Sequence, residues 1–253
     1  MELGEEWEKH CNYSHPIERN YVAKIPPLKL EDVTIGPRIG STSAHGLVYR
    51  GKAGDTPVAV KFTPALTSRD DPEKEMNLAQ MLGDKARQNL DLPFPVVYGT
   101  GTVFMKLPKS YNNTENAMKE NLRRDILQKG FKKSAAMRAV HQGIIPDGYI
   151  VPDKVKMWYI ISELAIGDLN QIKNRTQYYE ESKCALEKLH DMGYAHGDVH
   201  LGNFMLLKGN KVVIHDFDAS VPATKETIME DRERFVYAWS FAMPFTDKTN
   251  VNK

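Results

Sequence analysis

The sequence predicts an α+β chain in two lobes, with strands concentrated before residue 162 and helices after it. Residues 33–62 read as short strands separated by Gly- and Asp-containing breaks, an antiparallel meander. Residues 175–192 and 227–241 each read as a helix with apolar residues on one face. With 41% hydrophobic and 26% charged residues over 253 positions, the chain can bury a core of ordinary globular composition.

Residues 1–30 are polar, end in Ile25-Pro26-Pro27, and are expected as an N-terminal extension lying over the domain. The first lobe is expected over residues 31–161. It opens with Thr34-Ile35 and Arg38-Ile39, continues with strands at 47–50 and 58–62, and then a helix starting at Asp71-Pro72-Glu73 and closed by Gly83. Two further strands are expected at 94–98 and 102–105, and a buried-type strand at 158–161. Between them, residues 108–152 form an insert that is partly helical in pattern. Its stretch 119–138 has seven basic residues against two acidic ones, about +5, and reads either as a solvated helix face or as a docking site for an acidic protein partner. Residues 162–253 make up the remaining lobe.

Lys and Arg number 34 against 33 Asp and Glu, so the net charge of +1 removes any global argument for nucleic acid or a membrane surface as partner. No apolar run approaches the roughly 18 residues needed to span a bilayer, and the acidic start is unlike a signal peptide. A cytoplasmic protein is expected. Cys11 and Cys184 fit no metal-ligand spacing and are expected as reduced thiols.

The chemistry concentrates between residues 196 and 218. Asp198 and Asn203 lie five residues apart, and Asp216 follows thirteen later, after the apolar strand Val212-Val213-Ile214. Phosphoryl transfer needs such a set: one carboxylate to orient or accept the proton of a hydroxyl, another carboxylate and an amide oxygen to hold magnesium, and an ammonium on the phosphates. A turn would explain any one of these residues, but not all three at these offsets.

His196-Gly197-Asp198-Val199-His200-Leu201-Gly202-Asn203, followed by His215-Asp216-Phe217-Asp218, resembles the protein-kinase-like superfamily. The resemblance implies a protein-kinase-like fold with an antiparallel β-sheet N-lobe and a truncated helical C-lobe, and the use of ATP and Mg. It implies Asp198 as catalytic base, Asn203 and Asp216 as metal ligands, and His196 as an anchor of the loop. Lys61 in Val58-Ala59-Val60-Lys61 matches the phosphate-gripping lysine, with Glu75 favoured over Glu73 as its partner. Residues 39–49 stand in the place of the glycine-rich loop, with Gly40, Ser41, Thr42, Ser43, Gly46 and Val48 around the nucleotide together with Ala59. Hydroxyls replace the expected middle glycine, so the grip relies more on side chains. The phrase 161–169 resembles the hinge, which implies adenine contacts from the backbones of Glu163 and Ala165, Ser162 as gatekeeper, and Asp168 near the ribose.

Three departures bear on the acceptor. Gly197 stands where many regulated kinases carry arginine, so activation by loop phosphorylation is not expected. His200 replaces the usual lysine and is assigned to the catalytic group, and Asp218 replaces the glycine of D-F-G; small-molecule phosphotransferases share both. Only 35 residues follow Asp218 and none form A-P-E, so the peptide-binding platform of large protein kinases is expected to be missing. This truncation resembles the small KEOPS kinase, bacterial effector kinases and the Ser/Thr kinases of large DNA viruses; in the latter two settings the compartment would be the host cytoplasm. The leading expectation is a minimal Ser/Thr protein kinase acting on a protein substrate. The alternatives are an aminoglycoside- or choline-kinase-like small-molecule phosphotransferase and a nucleotide-binding pseudokinase scaffold.

Overall fold

The computed structural model describes residues 22–39, 46–64, 71–105 and 155–241. The basic insert 119–138 and most of the expected extension 1–30 lie outside the described residues. The chain divides into two compact units, one of residues 26–80 and 97–162, the other of residues 1–25, 81–96 and 163–253.

The first unit is built on a five-stranded sheet. Its strands are β1 (Thr34–Ile39), β2 (Leu47–Ala53), β3 (Thr56–Pro64), β4 (Val97–Met105) and β5 (Val155–Glu163), in the order β1-β2-β3-β5-β4. β1 pairs with β2, β2 with β3 and β4 with β5, each antiparallel. Alternation puts Leu47, Val58, Val60 and Phe62 on a buried face, while Val48 lies directly across from Lys61 on the other. Helix α1 (Pro72–Gln88) carries Glu75 and Leu78 inward on its first turns.

Two expectations change here. Residues 94–98 and 102–105 were expected as separate strands, yet β4 runs unbroken through Gly99 and Gly101. These glycines admit neighbours instead of turning the chain: a Cβ on Gly99 would meet Leu28 O at 1.8 Å, and one on Gly101 would meet the Tyr159 hydroxyl at 2.6 Å. Helix α1 likewise does not stop at Gly83. Residues 85–88 are good helix formers, Ala86 is fully buried, and Arg87 reaches Ile25 O at 2.5 Å, which together outweigh the cost of one helical glycine.

The second unit contains α2 (Tyr179–Asp191), entered through a 3₁₀ turn at Arg175–Tyr178, and α3 (Lys225–Ser240). Its strands are short: β6 (Gly167–Asp168), β7 (Tyr194–Ala195), β8 (Phe204–Leu206), β9 (Val212–Ile214) and β10 (Val221–Pro222). They form a sheet β6-β8-β9 and a pair β10-β7. Helix α3 begins with a reciprocal cap, in which Thr224 Oγ1 accepts from Thr227 N at 3.2 Å and Thr224 N donates to Thr227 Oγ1 at 2.8 Å. Asp231, Phe235 and Trp239 recur every four residues, so they share a face, and all three are buried. Phe235 packs on Tyr179, Phe204 and Trp239 with ring centroids 5.4, 5.8 and 6.0 Å away, fastening α3 to α2 and β8. No helix among the described residues is long and apolar enough to cross a membrane. The expectation of reduced thiols fails at Cys184 on α2, which is disulfide-bonded; pairing depends on proximity in the fold, which spacing along the chain does not report.

Candidate active site

In the sheet unit, Lys61 Nζ lies 2.5 Å from Glu75 Oε1, while Thr63 Oγ1 donates to Glu75 Oε2 over 3.4 Å. Glu75 is 2% exposed, so this carboxylate is buried, bonded and aimed at the lysine. Glu73, two residues earlier, faces solvent. Ala59 and Lys61, two apart on β3, share a face with Val48. Gly46 lies against the lysine stem, since a Cβ there would meet Lys61 Cε at 3.0 Å. Gly40, Ser41, Thr42 and Ser43 lie outside the described residues.

The helical unit carries the carboxylate set. From β7 the chain enters the loop at His196, whose buried ring is held on both nitrogens. Nε2 donates to His215 O at 2.9 Å, and Nδ1 accepts from Asp198 N at 3.3 Å. Burial lowers the pKa of this histidine, in keeping with a neutral ring. Gly197 follows with φ of 79°, and a Cβ there would lie 2.4 Å from Ala219 O. Asn203 Nδ2 donates to Asp198 O at 2.8 Å, closing the loop on itself. His215 N bonds Asn203 O at 3.0 Å and His215 Nε2 lies 3.1 Å from Gly202 O, which laces the end of β9 to the same loop. Asp216 then takes a left-handed φ of 69°, uncommon for a residue with a side chain. Buried Phe217 anchors it against Phe94 and His196, at centroid distances of 6.4 and 5.9 Å.

Asn203 and Asp216 offer hard oxygen donors of the kind magnesium takes. With the Asn203 amide nitrogen committed to Asp198 O, its amide oxygen is the atom that could take a metal. Among the described residues no cluster of three or more His, Cys, Asp or Glu could cage a metal, so an ion held by these two would draw its other ligands from water and phosphate.

The hinge phrase is also fastened. Glu163 N donates to Val96 O at 3.1 Å and its carboxylate accepts from Val96 N at 2.8 Å, so both the N–H and the side chain of Glu163 are tied to Val96. Ala165 is partly exposed. Asp168 accepts from Asn170 N at 3.0 Å and from the Gln171 side chain at 2.5 Å.

The sequence reading missed most of the loop's support. Asp231 lies on the buried face of α3, where the sequence shows only an apolar helix face. Its Oδ2 accepts from His196 N at 2.6 Å and its Oδ1 from Gly197 N at 2.9 Å. His190 Nε2 lies 3.0 Å from Asp231 Oδ2, and its Nδ1 lies 3.4 Å from Glu187, which Arg232 grips with two bonds of 3.0 and 2.6 Å. Burial opposes charge on Glu187 and Asp231, but His190 and Arg232 hold Glu187 down at about 2, and His190 with the two backbone N–H groups lowers Asp231. His190 is raised: burial disfavours its charge, and the two carboxylates overcome that. Arg234 donates to Gly197 O. The available signals were Glu187 and His190 at i,i+3 on a helix and one aspartate on an apolar face; nothing in the sequence joined them across forty residues.

The family described as lipopolysaccharide core biosynthesis protein (WaaY) matches residues 96–237, more than half of the chain. The chain belongs to this family. No curated protein matches it. The WaaY family is one of kinase-like phosphotransferases, and the chain is accordingly a phosphotransferase of the kinase-like class. The matched span takes in the hinge phrase, the loop 196–203, Asp216 and Asp231, and begins after Lys61 and Glu75.

Proposed function

We propose that this WaaY-family chain transfers the γ-phosphoryl group of ATP to a sugar hydroxyl of a lipopolysaccharide core, of the heptose type that the family phosphorylates. The single observation that carries the chemistry is the loop in which Asn203 clasps the backbone of Asp198 while the Asp198 side chain stays 55% exposed, open to an acceptor. Asp198 takes the proton as the acceptor oxygen bonds to the γ-phosphorus. The bond from that phosphorus to the β,γ-bridging oxygen breaks, and ADP leaves. Lys61, steadied by Glu75, grips the α- and β-phosphates. Asn203 and Asp216 would hold magnesium, which when bound would supply positive charge to offset that of the phosphates. His200 and Asp218, shared with small-molecule kinases, agree with a small hydroxyl acceptor.

A Ser/Thr protein acceptor is the second reading, favoured by the kinase-like hinge phrase at 161–169. One experiment decides between them. The purified protein is incubated with γ-labelled ATP and magnesium, with a heptose-containing core oligosaccharide in one arm and a protein panel in the other, beside Asp198→Ala. Label in the oligosaccharide that vanishes in the variant is expected. Label confined to protein would replace the sugar reading with the second, and equal label with Asp198→Ala would overturn both.

A further inference from the structure

His200 stands where protein kinases usually carry lysine, and its ring is tied into the loop itself. Its Nδ1 accepts a hydrogen bond from Gly202 N at 3.0 Å, so this nitrogen bears a lone pair and the ring proton sits on Nε2. Nε2 in turn lies 3.5 Å from Asp198 Oδ2. The ring is seated on the bare Cα of Gly202, where a Cβ would come within 2.9 Å of its Cε1 and Nδ1 and within 3.1 Å of Asn170 Nδ2. Both the tautomer and the direction of the ring are therefore set by the turn 200–203.

We infer that His200 is a positioning residue, an imidazole held at Nδ1 by Gly202 N, whose Nε2 faces Asp198 and aims that carboxylate at the acceptor hydroxyl. A base whose orientation is set by a third group is a recurrent device of activated sites. Contacts of this kind are often long before substrate binds and tighten in the complex, which suits the 3.5 Å separation. The inference rests on the proposed phosphotransfer for its kinetic consequence, but not for its tautomer.

Two measurements test it separately. Long-range ¹⁵N–¹H NMR of the histidine rings at pH 8, with His200 assigned by its loss in His200→Asn, is expected to show the Nε2–H tautomer with an acceptor Nδ1. An Nδ1–H tautomer or an imidazolium overturns the inference, whatever the enzyme does. Kinetics then compare wild type, His200→Asn and His200→Lys, with ATP and the core oligosaccharide, or with water as acceptor through slow ATP hydrolysis. Asn keeps an oxygen to cap Gly202 N but has no donor that reaches Asp198. It is expected to lower kcat about ten- to a hundredfold, the scale of one hydrogen bond to a charged group, with KM for ATP and Tm unchanged. Lys is expected to fail as a rescue. Wild-type kcat in His200→Asn, or a lysine variant that restores kcat and lowers KM for ATP, would show a phosphate-gripping role or none. An inactive wild type would count against the proposed function, and the tautomer would still decide the fate of the inference.

Discussion

His190 Nε2 lies 3.0 Å from Asp231 Oδ2, and through that contact a helix away from the chemistry braces the backbone of the loop carrying Asp198. The pKa of His190 is raised by Asp231 and Glu187 against the effect of burial. A raised base contributes stability that is fully present below its unfolded value near 6.5 and is lost as pH rises through its higher folded value. Tm should therefore fall from pH 6 toward pH 9, and His190→Gln, less stable at pH 6, should show a flatter profile over that window. Parallel profiles for the two proteins would show that His190 is not charged in the fold.

Among the described residues the Asp198 carboxylate accepts no structural bond beyond the approach of His200, and the side chain is half exposed. Asp198→Asn should melt within a degree or two of wild type while phosphotransfer falls about 10²- to 10⁴-fold, the range for a general base. Calorimetry beside a labelled-ATP assay checks both halves.

Removing Lys61 takes the neighbouring cation from a carboxylate that is nearly inaccessible to water. Lys61→Ala should cost about 3 kcal/mol of stability as well as turnover, whereas Lys61→Arg, which keeps a cation for Glu75, should cost under half of that. Denaturant unfolding of the two variants measures the difference. Equal losses would mean that the pair matters through packing and not charge.

Gly99 holds β4 against Leu28 so closely that no side chain fits. Gly99→Ala should destabilise by about 2 kcal/mol or more, whereas Gly54→Ala, with open space around it, should lose only the smaller cost of its left-handed backbone at φ 57°. Chemical denaturation of the pair reads the contrast.

Much of the site was legible because its parts are local. Asp198, Asn203 and Asp216 lie within nineteen residues, and period-2 alternation alone places Ala59 and Lys61 on one face. Glu75 was the favoured partner because its spacing to the apolar residues of the helix suits an inward position. What could not be read depends on distance in space. The contacts of Asp231 with His196 and Gly197, and of Arg232 with Glu187, join segments more than thirty residues apart. The unbroken β4 and the longer α1 were missed because a glycine looks like punctuation in a sequence whether it turns the chain or only makes room.

The bare Cα at Gly197 bears on what this chain could become. At φ 79°, with Ala219 O where a Cβ would go, the position admits no arginine. The control mechanism of phosphate-activated kinases, which starts from a cation at this site, cannot be reached by a single codon change. A lineage acquiring it would first have to rebuild the segment around Ala219, so any regulation that evolves here has an easier path through other parts of the molecule.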